Sequence, residues 1–275
     1  MSATRIAATQ GVAPIDVAFL RYAVPALLLI PVWLPTLRKL AAAPGWSLLA
    51  MLGWGAPFLW LVTASLETAN VIYLATIVPC TMPIFALVAE RVFFNFRPGK
   101  SHLAGFSLIA CAALIVIFRA LTGSGGIDGY SLLLMLLAAM GWACYVVSFK
   151  HTGLSAAQGA AWVCTASSGM IIAIKLAMGD VGAAFLPMTQ QQILFNVFAQ
   201  GFLSGFVAVI LYTIAIARLG APRAASFSVL MPVTGALFAW AWLGEQPLGG
   251  DWLALVLGTL GVAVVNGLIR WPQKN

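Results

Sequence analysis

The sequence contains few charged residues. Only 8% of its 275 residues are Asp, Glu, Lys or Arg, and 62% are hydrophobic, whereas an ordinary soluble domain carries about 25% charged residues. This composition excludes a soluble globular protein and indicates an integral membrane protein. Because the hydrocarbon core offers no water to backbone polar groups, the spanning segments must be helices or a closed barrel. The long apolar runs lack the alternation of barrel strands, so we expect an all-α integral membrane fold.

Residues that could carry catalysis or bind a metal are also scarce. The two histidines, His102 and His151, lie beside lysines at the ends of apolar segments, and the four cysteines show no paired spacing. An enzyme needs nucleophiles, acids, bases or metal ligands grouped at one depth, and the sequence contains no such group. We therefore expect no enzyme activity, metal or cofactor, and four buried free thiols. The basic residues lie singly at segment ends, which indicates membrane topology rather than nucleic-acid binding.

The sequence analysis also predicts no ionisable residue in the middle of an apolar segment, where such a residue is functional by default. Asp, Glu, Lys and Arg all fall near segment ends, and Glu67 and Glu90 are the nearest candidates for a coupling carboxylate. The lack of a central carboxylate disfavours proton coupling through an acidic residue. The lack of a central Lys or Arg disfavours phosphorylated substrates, which need cationic groups in the cavity.

What the sequence does contain is a series of apolar segments of about 20 residues, the length that crosses a bilayer. Proline, glycine or charged residues bound each segment. The nine segments lie at about 17–37, 46–66, 70–93, 101–119, 128–149, 157–178, 190–217, 222–243 and 251–270.

The segment Ile72–Pro98 has prolines in its middle and recurs later in the chain. Met82-Pro83 lies 149 residues before Met231-Pro232. Interrupted helices at matching positions of two repeats are typical of secondary transporters, whose substrate site lies near the membrane midplane. Because proline lacks an N–H and bends a helix, we expect hinges at these positions. The predicted hinge residues are Pro79, Pro83 and Pro232.

A second internal match concerns the start of the chain. Gly11–Tyr22 matches Gly153–Cys164 at an offset of 142, which places Met1 against the middle of a segment that starts near Tyr130. We therefore expect that about 13 residues of a first helix are missing before Met1. The expected architecture is ten transmembrane helices in two five-helix repeats, at residues 1–122 and 128–271. Because five is odd, the repeats are inverted relative to each other.

Aromatic residues provide the best candidates for a substrate site. Trp and Tyr combine an apolar ring with one hydrogen-bonding group, and a mostly apolar cavity with a few polar groups suits a small amphipathic solute. Each aromatic residue taken alone is more often a packing residue, but together with deep polar residues they predict a site between the repeats. The predicted lining residues are Trp54, Trp60, Tyr73, Thr76, Trp142, Tyr145, Trp162, Tyr212 and Ser226.

The second repeat resembles the EamA domain of the drug/metabolite transporter superfamily. The resemblance rests on Ala215–Gly267, which has a small-residue helix, a kink at Pro232, the turn Leu243-Gly244-Glu245 and a glycine-containing last helix. The first repeat has the same frame, with Phe94-Asn95-Phe96 in place of that turn. The resemblance implies ten helices, a central cavity and export of metabolites. The aromatic-rich chain is also similar to the bacterial aromatic amino acid exporters of that family.

The expected function is therefore export or facilitated passage of amino acids, most of all aromatic or large apolar ones, by alternating access. Two alternatives stay open. One is a multidrug or other metabolite exporter, which would need an acidic residue in its cavity if it carried hydrophobic cations. The other is a non-transporting membrane interaction or lipid-handling protein. The expected partners are a small-molecule substrate and the lipid bilayer, with a monomer as the expected state.

The distribution of Lys and Arg predicts the orientation, because cytoplasmic loops hold an excess of them. Placing the Arg38-Lys39 loop inside puts ten of the fourteen basic residues on that side and six of the seven acidic residues on the other. We predict a bacterial inner-membrane protein with both termini and the Arg91–Lys100 segment in the cytoplasm. Gly123–Asp128 and Gly244–Asp251 then face outward.

Labelling of single cysteines tests this orientation. In a chain whose four native cysteines are replaced by alanine, Ser124→Cys should react with a membrane-impermeant maleimide added to intact cells. Asn95→Cys is the matched control and should react only after permeabilisation, because the bilayer stops the reagent. Labelling of Asn95→Cys from outside, with Ser124→Cys protected, would invert the topology.

Overall fold

The computed structural model of the chain describes residues 14–66, 69, 71–122, 127–179, 189–231, 233–234 and 249–269. These residues are helical or form turns, with no strand among them. This confirms the all-α prediction. The predicted hinge Pro232, the candidate Glu67 and the turn Leu243-Gly244-Glu245 lie outside the described residues.

The described helices follow one another with short connections. In chain order they are α1 (Pro14–Leu28), α2 (Ile30–Ala42), α3 (Gly45–Met51), α4 (Ala56–Ser65), α5 (Val71–Phe93), α6 (Lys100–Thr122), α7 (Gly129–Phe149), α8 (Ala156–Met178), α9 (Gln190–Asn196), α10 (Ala208–Leu219), α11 (Ala221–Ser226) and α12 (Gly249–Val265). Short 3-10 turns lie at Leu52–Trp54 and Phe227–Val229, and a π-helix occupies Val197–Val207 between α9 and α10.

Six helical stretches of the described chain are long and apolar enough to cross a membrane. They are Gly45–Ser65, Thr76–Phe93, Lys100–Arg119, Gly129–Phe149, Ala156–Met178 and Gln190–Leu219. A shorter apolar helix lies at Trp252–Val265, and the first predicted segment is divided between α1 and α2 at Leu29. The protein is therefore embedded in a membrane, while the count of ten helices in inverted repeats stays a prediction.

The chain divides into two compact units. Unit 1 contains Met1–Trp60 and Ser148–Arg218, and unit 2 contains Leu61–Val147 and Leu219–Asn275. Each unit thus combines residues from the first and the second predicted repeat. The division by contacts in space differs from the division by sequence repeat.

In unit 1, α1 packs against α8 and the π-helix. The core on one side of α1 contains Ala18, Tyr22 and Cys164. On the other side Gly201 meets Val24, whose Cβ would lie 2.6 Å from a Cβ at position 201. The absence of a side chain at Gly201 therefore allows close packing.

A buried ion pair joins the ends of α1 and α8. Asp16 lies in the first turn of α1, and its Oδ1 is 2.5 Å from Nζ of Lys175 in the last turn of α8. The two side chains are only 7% and 6% exposed. Each charge therefore depends on the other, since a single charge at this degree of burial would have no compensation.

In unit 2, α6 and α12 pack through glycines. A Cβ at Gly261 would lie 2.7 Å from the carbonyl oxygen of Gly105 and 2.7 Å from Cγ1 of Ile109. The two backbones can approach this closely only because Gly261 has no side chain. Cys80, Phe106 and Val229 belong to the adjoining core.

The helix interruption predicted in α5 is absent, because α5 is continuous through Pro79 and Pro83; what the prolines change is the hydrogen bonding, and a side chain compensates for it. Pro83 has no N–H to donate to the carbonyl of Pro79, four residues earlier. The hydroxyl of Ser228 donates to that carbonyl instead, at 2.7 Å, and also lies 2.8 Å from the carbonyl oxygen of Ala225. Ser228 follows Pro79 by 149 residues, the offset of the predicted repeat. Matching positions of the two repeats therefore contact each other.

Breaking the ion pair tests its contribution to stability. Asp16→Asn leaves the Lys175 ammonium buried without a counter-charge and should lower the free energy of unfolding by about 3–5 kcal/mol. Denaturation of the purified protein in detergent measures this free energy of unfolding. The double variant Asp16→Leu/Lys175→Leu removes both charges and should recover most of the loss. Equal stability of Asp16→Asn and the native protein would contradict the assigned role.

A double-mutant cycle tests the bond between Ser228 and Pro79. Ser228→Ala alone leaves the Pro79 carbonyl buried without its donor and should cost about 1–3 kcal/mol of unfolding free energy. In a Pro83→Ala background the new N–H at position 83 can bind that carbonyl, so Ser228→Ala should cost clearly less. Identical costs in the two backgrounds would mean that the serine does not replace the bond removed by Pro83.

Candidate functional site

The span Gly45–Ser65 is interrupted at its midpoint. The 3-10 turn Leu52–Trp54 is followed by Gly55, whose backbone (φ −91°, ψ −140°) is not helical. The α-helical hydrogen-bond pattern therefore stops here, at the midpoint of the span. Irregular backbone at this depth is tolerated only where it is buried in protein or lines a cavity.

Side chains from the two neighbouring helices satisfy this irregular backbone. The hydroxyl of Tyr22 in α1 donates to the carbonyl of Gly55 at 2.8 Å and lies 3.2 Å from that of Trp54. The hydroxyl oxygen of Ser167, at the midpoint of α8, accepts from the N–H of Ala56 at 3.1 Å. A Cβ at Gly55 would lie 2.2 Å from this oxygen, so glycine is required for the contact.

Helix α1 is continuous, but Pro25 in its interior removes one helical hydrogen bond. Proline lacks the N–H that would bind the carbonyl of Arg21, four residues earlier. That carbonyl lies against Gly205, where a Cβ would collide with the oxygen. The absence of a side chain at Gly205 therefore makes room for the carbonyl of Arg21.

The second irregular segment is the π-helix Val197–Val207, which holds Gly205 and the buried Gln200. Gly205 lies at the midpoint of the span Gln190–Leu219. Long π-helices are rare, and π-helical turns are frequent at functional sites. Two spans of unit 1 thus depart from regular α-helix near their midpoints, and the neighbouring α1 lacks one helical hydrogen bond at Pro25.

A small cavity lies where these three segments meet. Its volume is about 10 Å³, roughly enough for one water molecule. Arg21 and Trp54 supply its charged and aromatic groups. The full lining consists of Arg21, Tyr22, Trp54, Val163, Cys164, Gly205 and Val209, which come from both predicted repeats and all belong to unit 1.

The position of Arg21 contradicts one expectation from the sequence. No Lys or Arg was expected at mid-depth, but Arg21 lines the cavity beside residues from the middle of two spans, Trp54 and Gly205. It is partly buried, and no carboxylate of the described chain forms an ion pair with it. The sequence signal was the spacing Arg21-x-x-x-Pro25, a cation whose own carbonyl is freed by a proline.

Four of the predicted site residues lie in unit 1. Trp54 lines the cavity, and the ring of Tyr212 lies 5.6 Å from the Trp54 ring, centroid to centroid. Trp162 donates from Nε1 to the carbonyl of Leu48 at 3.0 Å, which fixes its ring between helices. Trp60 is 64% exposed. The cavity therefore brings together Trp54 and Tyr212, and not Trp60.

The other five predicted site residues lie in unit 2. Trp142 and Tyr145 are buried in α7, and Tyr73 and Thr76 are half-buried in α5. Ser226 is buried; it donates to the carbonyl of Arg223 and accepts from Nδ2 of Asn266, at 2.8 and 2.9 Å. These bonds give Ser226 a role in joining α11 to α12.

The described residues contain no group of three His, Cys, Asp or Glu side chains that could hold a metal ion. All four cysteines are free thiols. Cys80 and Cys164 are buried as expected, whereas Cys111 is exposed. The exposure of Cys111 is a correction to the sequence analysis, and its physical reason is that α6 presents this side chain outside the packed core.

Comparisons with known proteins agree with the membrane-protein class that the sequence and the structure indicate. The model of the EamA-like transporter family matches residues 2–118 and 129–267. The chain is 28% identical over 224 residues to a protein of Streptantibioticus cattleyicolor described as a probable terminal-alkyne amino-acid exporter. The match covers 78% of this chain and 66% of that relative, just under two thirds of its length.

A solved crystal structure has the same fold. It superposes with a TM-score of 0.71 at 17% sequence identity, covering 96% of this chain and 91% of the other. At such a low identity the likeness shows only that the folds agree, whereas the family match covers most of the sequence in two parts. The chain therefore belongs to the EamA-like transporter family.

Proposed function

We propose that the protein exports or facilitates the passage of amino acids, chiefly aromatic or large apolar ones, across a bacterial inner membrane. The observation that carries the proposal is the cavity of unit 1. The spans Gly45–Ser65 and Gln190–Leu219 lose regular α-helix beside it, and it combines the Trp54 ring with the cationic Arg21. Transporters of this kind bind substrate near the midplane, at interrupted helices.

The relative from Streptantibioticus cattleyicolor supports amino acids as the substrate class, because it is described as a probable amino-acid exporter. The preference for aromatic or large apolar side chains rests on this chain's own residues. Trp54 lies at the cavity, and Tyr212 lies beside it. An aromatic ring placed here would gain favourable edge or offset contacts with both.

We propose alternating access as the mechanism. A volume of about 10 Å³ is too small for an amino acid, so in this proposal the cavity widens toward one side of the membrane at a time. Pro25 and the irregular backbone at Gly55 are the points in unit 1 at which we expect the helices to bend. We propose Pro79, Pro83 and Pro232 as further hinges, in a fold of two inverted five-helix repeats.

The same cavity disfavours the alternative of a multidrug exporter for hydrophobic cations. Such a substrate would need a carboxylate near the midplane, and the lining residues include Arg21 and no Asp or Glu. The position of Arg21 at the cavity also disfavours a non-transporting interaction protein. A cation inside a membrane costs free energy, and such residues usually serve a function.

Flux measurements in proteoliposomes test the proposal. The native protein should equilibrate labelled phenylalanine or tryptophan faster than empty liposomes. Trp54→Ala should lower the rate about 3- to 10-fold, since it removes a ring contact. Trp60→Ala is the matched control: it makes the same change at a side chain that is 64% exposed and should leave the rate unchanged.

Two results would count against this function. If a panel of labelled amino acids crosses no faster than in empty liposomes, the protein does not transport amino acids. If Trp54→Ala and Trp60→Ala behave alike at matched protein levels, the substrate site lies elsewhere than the cavity of unit 1.

A further inference from the structure

We infer that Arg21 is the residue that binds the carboxylate of the transported substrate, so that a carboxylate is required for recognition. This inference rests on the proposed function and specifies which part of the substrate the cavity recognises. Arg21 is not among the site residues predicted from the sequence, and the geometry of unit 1 places it at the cavity.

The first step of the argument is the cost of an unpaired cation in the membrane. A charged side chain near the bilayer centre is expensive, and such residues pair with another group or face a water-filled cavity. Unit 1 contains two membrane-embedded cations in different situations. Lys175 is paired with Asp16 at 2.5 Å, whereas Arg21 has no carboxylate partner in the described chain and lines a cavity.

The second step is that the other polar groups at the cavity cannot replace such a partner. The Tyr22 hydroxyl proton is used by the carbonyls of Gly55 and Trp54. Cys164 supplies only a thiol, which hydrogen-bonds weakly. The remaining lining residues, apart from Trp54, are the apolar Val163, Gly205 and Val209. An anion from outside the chain is therefore the natural partner for Arg21.

The third step concerns the kind of anion. A guanidinium offers a planar fork of N–H donors that matches both oxygens of one carboxylate. A phosphate carries up to two negative charges, and the described lining contains no second cation to balance it. The neighbouring ring of Trp54 suits the apolar side chain of an amino acid. One guanidinium beside one indole thus fits a carboxylate with an aromatic group attached.

The experiment separates ligand binding from transport. Ligand-induced thermal stabilisation of the purified protein is measured with phenylalanine, 3-phenylpropionate, phenethylamine and glucose 6-phosphate. The native protein should be stabilised by phenylalanine and 3-phenylpropionate, which carry a carboxylate, and not by phenethylamine, which lacks one. Arg21→Gln should bind the two carboxylates about 10- to 100-fold more weakly, the loss expected for a charged hydrogen bond.

Two further variants serve as controls. Arg21→Lys keeps the charge and loses the fork, so it should bind the carboxylates with intermediate affinity. Arg218→Gln makes the same charge change at an exposed position of unit 1 and should bind like the native protein. Unchanged carboxylate binding by Arg21→Gln, equal binding of phenethylamine and phenylalanine, or stabilisation by glucose 6-phosphate alone would each overturn the inference.

Failure of the proposed function has a different signature. If carboxylates bind in an Arg21-dependent way but no amino acid crosses proteoliposomes, the site assignment stands and the transport of amino acids is refuted. If amino acids cross at the native rate in Arg21→Gln, transport stands and the role of Arg21 is refuted.

Discussion

The structure depends on one constraint: every backbone polar group that leaves the helical hydrogen-bond pattern inside the membrane must find another partner. Tyr22 and Ser167 meet this need at the interruption around Gly55, and Ser228 meets it at the carbonyl of Pro79. Each partner comes from a different helix. The irregular segments are therefore held to their neighbours by hydrogen bonds as well as by apolar packing.

The same constraint explains why the cavity can be both specific and mobile. Glycine at positions 55 and 205 leaves space for Ser167 and for the carbonyl of Arg21, so the irregular segments lie in close contact without bulky side chains between them. A few hydrogen bonds hold this contact, in place of a continuous helical pattern. Water can replace such hydrogen bonds in a site that it enters. The proposed opening of one side of the cavity requires this replacement.

Some of this could be predicted from sequence and some could not. The all-α fold follows from the length of the apolar segments, and the loss of a helical donor at the Pro79 carbonyl follows from the proline at position 83. The exposure of Trp60, the bonding of Ser226 and the depth of Arg21 depend on which helix faces which, and a single sequence does not contain that information. The break at Gly55 had a local signal, the run Gly53-Trp54-Gly55-Ala56-Pro57, whose importance becomes clear only beside Tyr22 and Ser167.

The hydrogen bond from Ser228 to Pro79 has a consequence for the origin of the proposed repeats. The two residues are 149 positions apart, so each is the counterpart of the other. In a dimer of two identical half-chains, both positions would hold the same residue, and a proline could not donate to a proline. The fused chain can place a donor on one side and an acceptor on the other. Joining two halves in one gene thus permits a donor that only one half supplies, and a homodimer of the first half alone would lack this bond.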